Sequence, residues 1–103
     1  MLNTLTLDTF VKHVGETFRL RASEAEALDL ELVEVTPLTA KLADGTDVSR
    51  GRQPFSLVFR GPAQIVAPQR MYAVEHAGLG TYDLFVVPVG PGKGGMLYEV
   101  VFT

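Results

Sequence analysis

The chain has 103 residues, of which 47% are hydrophobic and 20% charged, with nine Lys and Arg against twelve Asp and Glu for a net charge of −3. That is one domain's length with enough apolar material to fold, and its mild acidity excludes the basic face that a nucleic-acid or anionic-membrane binder needs. The sequence contains no cysteine, which removes disulfide frameworks, thiolate metal sites and cysteine nucleophiles. We therefore expect one domain spanning residues 1–103.

The first element is a short helix over about residues 8–14. Asp8 is placed to cap it, Phe10, Val11 and Val14 form an apolar stripe at helical spacing, and Gly15 is a left-handed terminator. Two turns of helix are not stable alone in water, so this one must lie on something apolar, plugging an open end or covering an edge.

After Gly15 the apolar period changes to two. Phe18, Leu20 and Ala22 point one way and Thr17, Arg19 and Arg21 the other; Leu28, Leu30 and Leu32 then alternate with Asp29 and Glu31. An antiparallel hairpin that sets Phe18 by Leu32 and Leu20 by Leu30 also sets Arg19 by Glu31 and Arg21 by Asp29, so the apolar and charged ladders agree on one register. At Leu32-Val33 the phase of the alternation flips, the signature of a β-bulge, and Pro37 ends regular pairing or confines it to an edge.

Residues 36–53 are the least patterned stretch, with Asp44-Gly45 and Ser49-Arg50-Gly51-Arg52 and a short strand expected at most around Ala40–Leu42. The third strand is Pro54–Arg60 with Phe55, Leu57 and Phe59 inward, stopped by Gly61-Pro62. A connector carrying Pro62 and Pro68 leads to a fourth strand, Met71–His76, and a tight hairpin at His76-Ala77-Gly78-Leu79-Gly80. The fifth strand is Thr81–Val89, Gly90–Gly95 reads as a flexible hairpin loop, and the sixth is Met96–Phe102 with Met96, Tyr98, Val100 and Phe102 on one face. Strands in series with closely spaced turns indicate an all-β, mainly antiparallel fold: a small six-stranded barrel or a two-layer sandwich with one N-terminal helix.

Strand five is apolar on both faces through Leu84-Phe85-Val86-Val87-Pro88-Val89, whereas a half-exposed strand should be polar at every second position. Val101 repeats the feature in strand six. We take Phe85, Val87, Val89, Lys93 and Val101 as the candidate interface with a protein partner or a second copy, the other burial for that face being the helix. Pro88 fits an edge strand.

Candidate chemistry is sparse. His76 follows Glu75 and is expected across the hairpin from Tyr82 and Asp83, but adjacent strand residues face opposite ways and cannot share a site. His13 is expected to face solvent. Gly90–Gly95 with Lys93 lacks the Ser or Thr and the following helix of a phosphate-binding loop. If the third and fourth strands are neighbours, Arg60 and Arg70 lie near one end of the sheet as a solvated rim. No catalytic or metal-ligating residue and no cofactor is assigned, and an enzyme is not expected. The interior of so small a barrel, filled by side chains such as Phe18, Leu20, Phe59 and Tyr98, disfavours a small-molecule ligand. A ligand-binding β-barrel is kept as the alternative to an interaction module.

The motifs Phe55-Ser56-Leu57-Val58-Phe59-Arg60-Gly61-Pro62, Tyr72 with Glu75-His76, Leu79-Gly80, Leu84-Phe85-Val86-Val87-Pro88-Val89-Gly90 and Tyr98-Glu99-Val100-Val101-Phe102 are spread over residues 55–102, about half the chain. In their order they resemble a family of small bacterial all-β proteins, a domain of unknown function, similar in context to proteins found near phage-tail-like and tail-collar components. The resemblance implies a structural or assembly module and supplies no catalytic residues. Met1–Phe18 shows no basic segment followed by an apolar one, and no apolar run approaches the roughly 18 residues of a membrane span, so a cytoplasmic location with no membrane partner is expected.

Overall fold

The computed structural model describes residues 5–38 and 54–102. These form a short helix, α1 (Leu7–Val11), and six strands: β1 (Thr17–Arg21), β2 (Ala27–Pro37), β3 (Phe55–Gly61), β4 (Arg70–His76), β5 (Gly80–Gly92) and β6 (Gly95–Phe102). All pairings are antiparallel, and the strands close in the order β1-β2-β3-β6-β5-β4. Of the two expected architectures the barrel is the one formed, because β1 pairs with β4 through Arg19 with Glu75, Leu20 with Val74 and Arg21 with Ala73. Hairpin-linked β4, β5 and β6 lie beside β3 in a Greek key, so the chain from β3 to β4 must pass over one barrel end. The short stretch expected around Ala40–Leu42, like the rest of residues 39–53, lies outside the described residues.

Inward positions follow the period of two. Phe18 and Leu20 of β1, Leu30 and Leu32 of β2, Phe55, Leu57 and Phe59 of β3, and Tyr98 and Val100 of β6 are all buried. The alternation break at Leu32-Val33 is a bulge: Leu32 faces Phe59 and Glu34 faces Val58, so Val33 is the extra residue. It returns Val35 to the same phase as Leu57.

The β1–β2 register differs from the expected one by two residues, with Phe18 opposite Leu30 and Leu20 opposite Leu28. A tighter turn decides it: Ala22 N–H donates to Glu26 O (3.0 Å), and Ser23 Oγ accepts from Ala25 N (3.2 Å) and Glu26 N (3.1 Å). A two-residue slip keeps every side chain on its face but redistributes the charges. Arg19 pairs with Asp29 (3.3 Å), Arg21 crosses to Glu75 on β4 (3.0 Å), and Glu31 pairs with Arg60 on β3. The ion pairs thus lace the wall across β4, β1, β2 and β3 instead of locking one hairpin. The pairs are exposed or half-exposed, and each contributes about 0–1 kcal/mol.

The helix is shorter than expected and is capped by Thr6, not Asp8. Thr6 Oγ1 accepts from Thr9 N (3.3 Å) while Thr6 N donates to Thr9 Oγ1 (3.1 Å), a reciprocal capping box, and Asp8 sits in the first turn. Its apolar stripe reduces to Phe10, since Val11 and Val14 are about half exposed. Phe10 inserts into one barrel end against Phe102 (ring centroids 5.4 Å), Phe55 (5.9 Å) and Phe18 (6.4 Å), and Phe55 stacks on Phe102 at 4.6 Å. The helix is a plug, and Phe85 and Val89 on β5 stay about half exposed.

Two expectations for the C-terminal half change. The Gly90–Gly95 segment is strand down to a two-residue tip: Pro91 pairs with Met96 and Gly92 with Gly95, leaving Lys93 and Gly94, with Gly94 at φ 86°. Pro88 lies in a closed barrel and not in an edge strand. It is tolerated beside the Pro88/Gly90 bulge, past the point where β4 ends opposite Val86, so β5 has a single neighbour there. β3 and β4 are separated by β6 and β5, and Arg60 is tied to Glu31, so Arg60 and Arg70 do not form a joint rim.

Candidate functional site

The outward face of β4, β5 and β6 is the largest departure from an alternating polar exterior. Met71 pairs with Phe85, and Val87 pairs with Glu99, so by strand parity Phe85 and Val101, each two residues further along, share the same outward face. Met71 (56% exposed), Phe85 (47%) and Val101 (51%) therefore form an apolar row across three strands. Val87 and Val58, both half-buried, extend it on either side of Glu99. Asp83 lies next along β5, and neither Asp83 nor Glu99 is in an ion pair among the described residues.

Of the five candidate interface residues the structure brings Phe85, Val87 and Val101 together. Val89 is the extra residue of the β5 bulge and is exposed. Lys93 is eight positions beyond Phe85, more than about 20 Å away at a strand's rise per residue, and its carbonyl accepts from Arg60 (3.5 Å). Met71 was missed because its strand looks ordinary by itself; only pairing with Phe85 makes it part of a row.

The second grouping was not legible at all. His13, in the turn after α1, Glu16, just before β1, and His76, at the end of β4, converge at the plugged end. Glu16 Oε1 lies 2.8 Å from His13 Nδ1 and 2.7 Å from His76 Nε2, and the two imidazoles meet edge-on at 4.6 Å. His13 is half-buried here and not solvent-facing, because the turn following α1 folds it back over Glu16. His76 pairs with Gly80, not Tyr82 or Asp83, and its side chain is 8% exposed against Phe18 (4.5 Å). Glu75 faces away to Arg21, as strand alternation requires.

The potential ligand atoms of His13, Glu16 and His76 lie within 4.8 Å of one another, a spacing a metal ion could use. The hydrogen bonds fit a different role. His76 Nδ1 accepts from the backbone N–H of Gly78 (3.0 Å) and Leu79 (3.2 Å) in the β4–β5 turn. A neutral imidazole has one donor and one acceptor nitrogen, so Nε2 carries the proton and donates to Glu16. The lone pair that a metal would need on Nε2 is absent in the tautomer the turn selects. The cluster is a clasp joining the helix turn, β1 and the β4–β5 turn. The His13 hydrogen bond, followed by that of His76, holds the Glu16 carboxyl below the ordinary glutamate value, against a smaller opposing effect of burial.

Closure, a side-chain-filled interior and an apolar exterior row define a small Greek-key β-barrel presenting one wall to its surroundings. Its family is the domain of unknown function DUF6916: the family model matches residues 5–102, and the chain belongs to it. No curated protein and no solved structure matches the chain.

Proposed function

We propose that this barrel is a non-enzymatic interaction module that packs the Met71–Phe85–Val101 wall against a protein partner carrying an apolar patch rimmed by lysine or arginine. The observation that carries the reading is the half exposure of three large apolar side chains in one row of a closed barrel. Barrel closure leaves only short unpaired stretches among the described residues, such as β5 beyond Val86 on its β4 side, so the wall meets a partner mainly through side chains and not through added backbone pairing. Covering the exposed halves of the three residues contributes about 1 kcal/mol each. The unpaired Asp83 and Glu99 beside the row, in a chain of net charge −3, favour a basic rim on the partner and disfavour a second copy of the same acidic face.

The non-enzymatic part is supported by the described polar side chains. The one tight convergence among them, at Glu16 Oε1, ties the turn after α1 to the end of β4. An interior filled by buried side chains weighs against a ligand held inside the barrel. The resemblance to proteins found near phage-tail-like components suggests such a particle as the setting.

The test is affinity capture with the wild-type chain, Phe85→Asp and the double variant Asp83→Lys/Glu99→Lys. We expect one protein retained by the wild type, lost with Phe85→Asp, and weakened by the charge reversal most clearly at low salt. Retention undiminished by Phe85→Asp contradicts the reading.

A further inference from the structure

The barrel end opposite the plug carries a feature that the docking wall does not use. The 62–69 connector crosses that end, and its Ala67 is buried against the core. Tyr98 Oη accepts from Ala67 N (2.9 Å) and donates to Ile65 O (3.3 Å), and Tyr72 Oη donates to Pro68 O (2.5 Å). Two core tyrosines thus fix the connector as a rigid wall. Between it and the β1–β2 turn runs a groove of about 580 Å³, within the range of small-molecule sites. Its lining is mainly apolar, and Ile65 (51% exposed) and Val66 (54%) stand open along it.

Among the described residues, one cation faces this groove. Arg70 has the inward parity of Tyr72 and Val74 but opens β4, so its side chain lies over the barrel mouth. Its guanidinium sits 5.1 Å from the Tyr72 ring centroid, and Nη2 donates to Ala22 O (3.4 Å). Arg19, Arg21 and Arg60 each pair with a carboxylate, whereas Arg70 has no carboxylate partner among the described residues. A guanidinium offers five N–H donors in a planar fork, so donors remain for a carboxylate. Glu26, on the same lining, makes no ion pair with Arg70 and disfavours a multiply charged anion.

We propose that this groove is a binding site for a small amphiphilic monocarboxylate, with its carboxylate on Arg70 and its hydrocarbon tail against Ile65, Val66 and Leu28. The fixed connector and the stacked arginine are in place before binding, so little ordering opposes it. The site is independent of the docking wall.

The test uses decanoate, decanol and acetate as probes in an amide chemical-shift titration of the whole chain. Decanoate is expected to shift Ile65, Val66, Ala67 and Arg70 saturably, with decanol and acetate at least tenfold weaker. Arg70→Gln should weaken decanoate at least tenfold and leave decanol unchanged. Val66→Asp, a second variant on an exposed position, should weaken decanoate and decanol together, and Phe85→Asp should change neither. Decanol binding as tightly as decanoate, an Arg70→Gln chain with undiminished decanoate affinity, or no saturable shift in the groove would each overturn the proposal. So would a peptide ending in an apolar residue that binds where decanoate does not.

Discussion

The two most apolar surfaces outside the central core meet opposite fates. At the plugged end, Phe18, Phe55 and Phe102 would be left open by the strands alone, and one helical residue, Phe10, closes over them. On the wall of β4 to β6, Met71, Phe85 and Val101 form a row of comparable character with no covering residue among those described. The first surface is finished within the chain and contributes to folding. The second stays exposed, and it is the surface that the proposed docking would cover. Exposure and not hydrophobicity distinguishes the two surfaces.

Truncating the plug should have the largest effect. Phe10→Ala removes a fully buried ring and should cost about 3–5 kcal/mol in chemical denaturation, while Phe85-dependent capture persists as long as the barrel is folded. A second sealed contact lies where β3 meets β6: a Cβ on Gly95 would run into the Gly61 carbonyl, which is backbone and cannot step aside. Gly95→Ala should therefore destabilise by about 1–3 kcal/mol or more. On the open wall the order reverses: Phe85→Asp should cost about 1–2 kcal/mol, less than Phe10→Ala because only half of the ring is buried, and abolish partner capture. A Phe85→Asp chain as unstable as Phe10→Ala would break the distinction.

The smallest effect concerns the clasp. Glu16 has a depressed pKa in the folded chain, so its contribution is complete above the ordinary value of 4.5 and is lost as pH falls through the lower folded-state value. Wild type should lose more stability than Glu16→Gln as pH drops from about 5 to 3, measured as paired denaturation midpoints. Parallel pH profiles for the two chains would show that the His13–Glu16–His76 contacts do not hold the plugged end.

What the sequence made legible was parity. Period-two alternation placed Phe18, Leu20, Leu30, Phe55, Leu57, Phe59, Tyr98 and Val100 inward, and its phase flip located the Val33 bulge, because burial acts on every second residue directly. Register within the first hairpin was off by two, since parity cannot distinguish slips of two and the Ser23 turn hydrogen bonds decided between them. Closure was not readable, because the β1–β4 pairing joins residues more than fifty positions apart and leaves no local mark. The clasp was invisible for the same reason: Glu16 and His76 are unremarkable until closure brings them together. Pro88 pointed to a real local edge, but in a strand that the barrel otherwise encloses.

Photo-crosslinking from single positions on the intact chain tests the docking wall most directly. A photoreactive residue at position 85, in the cells that make the protein, should yield one dominant heterologous adduct, and the same residue at position 19, on the ion-paired side of the barrel, should yield none. Equal yields from the two positions, or no adduct from position 85, would contradict the account.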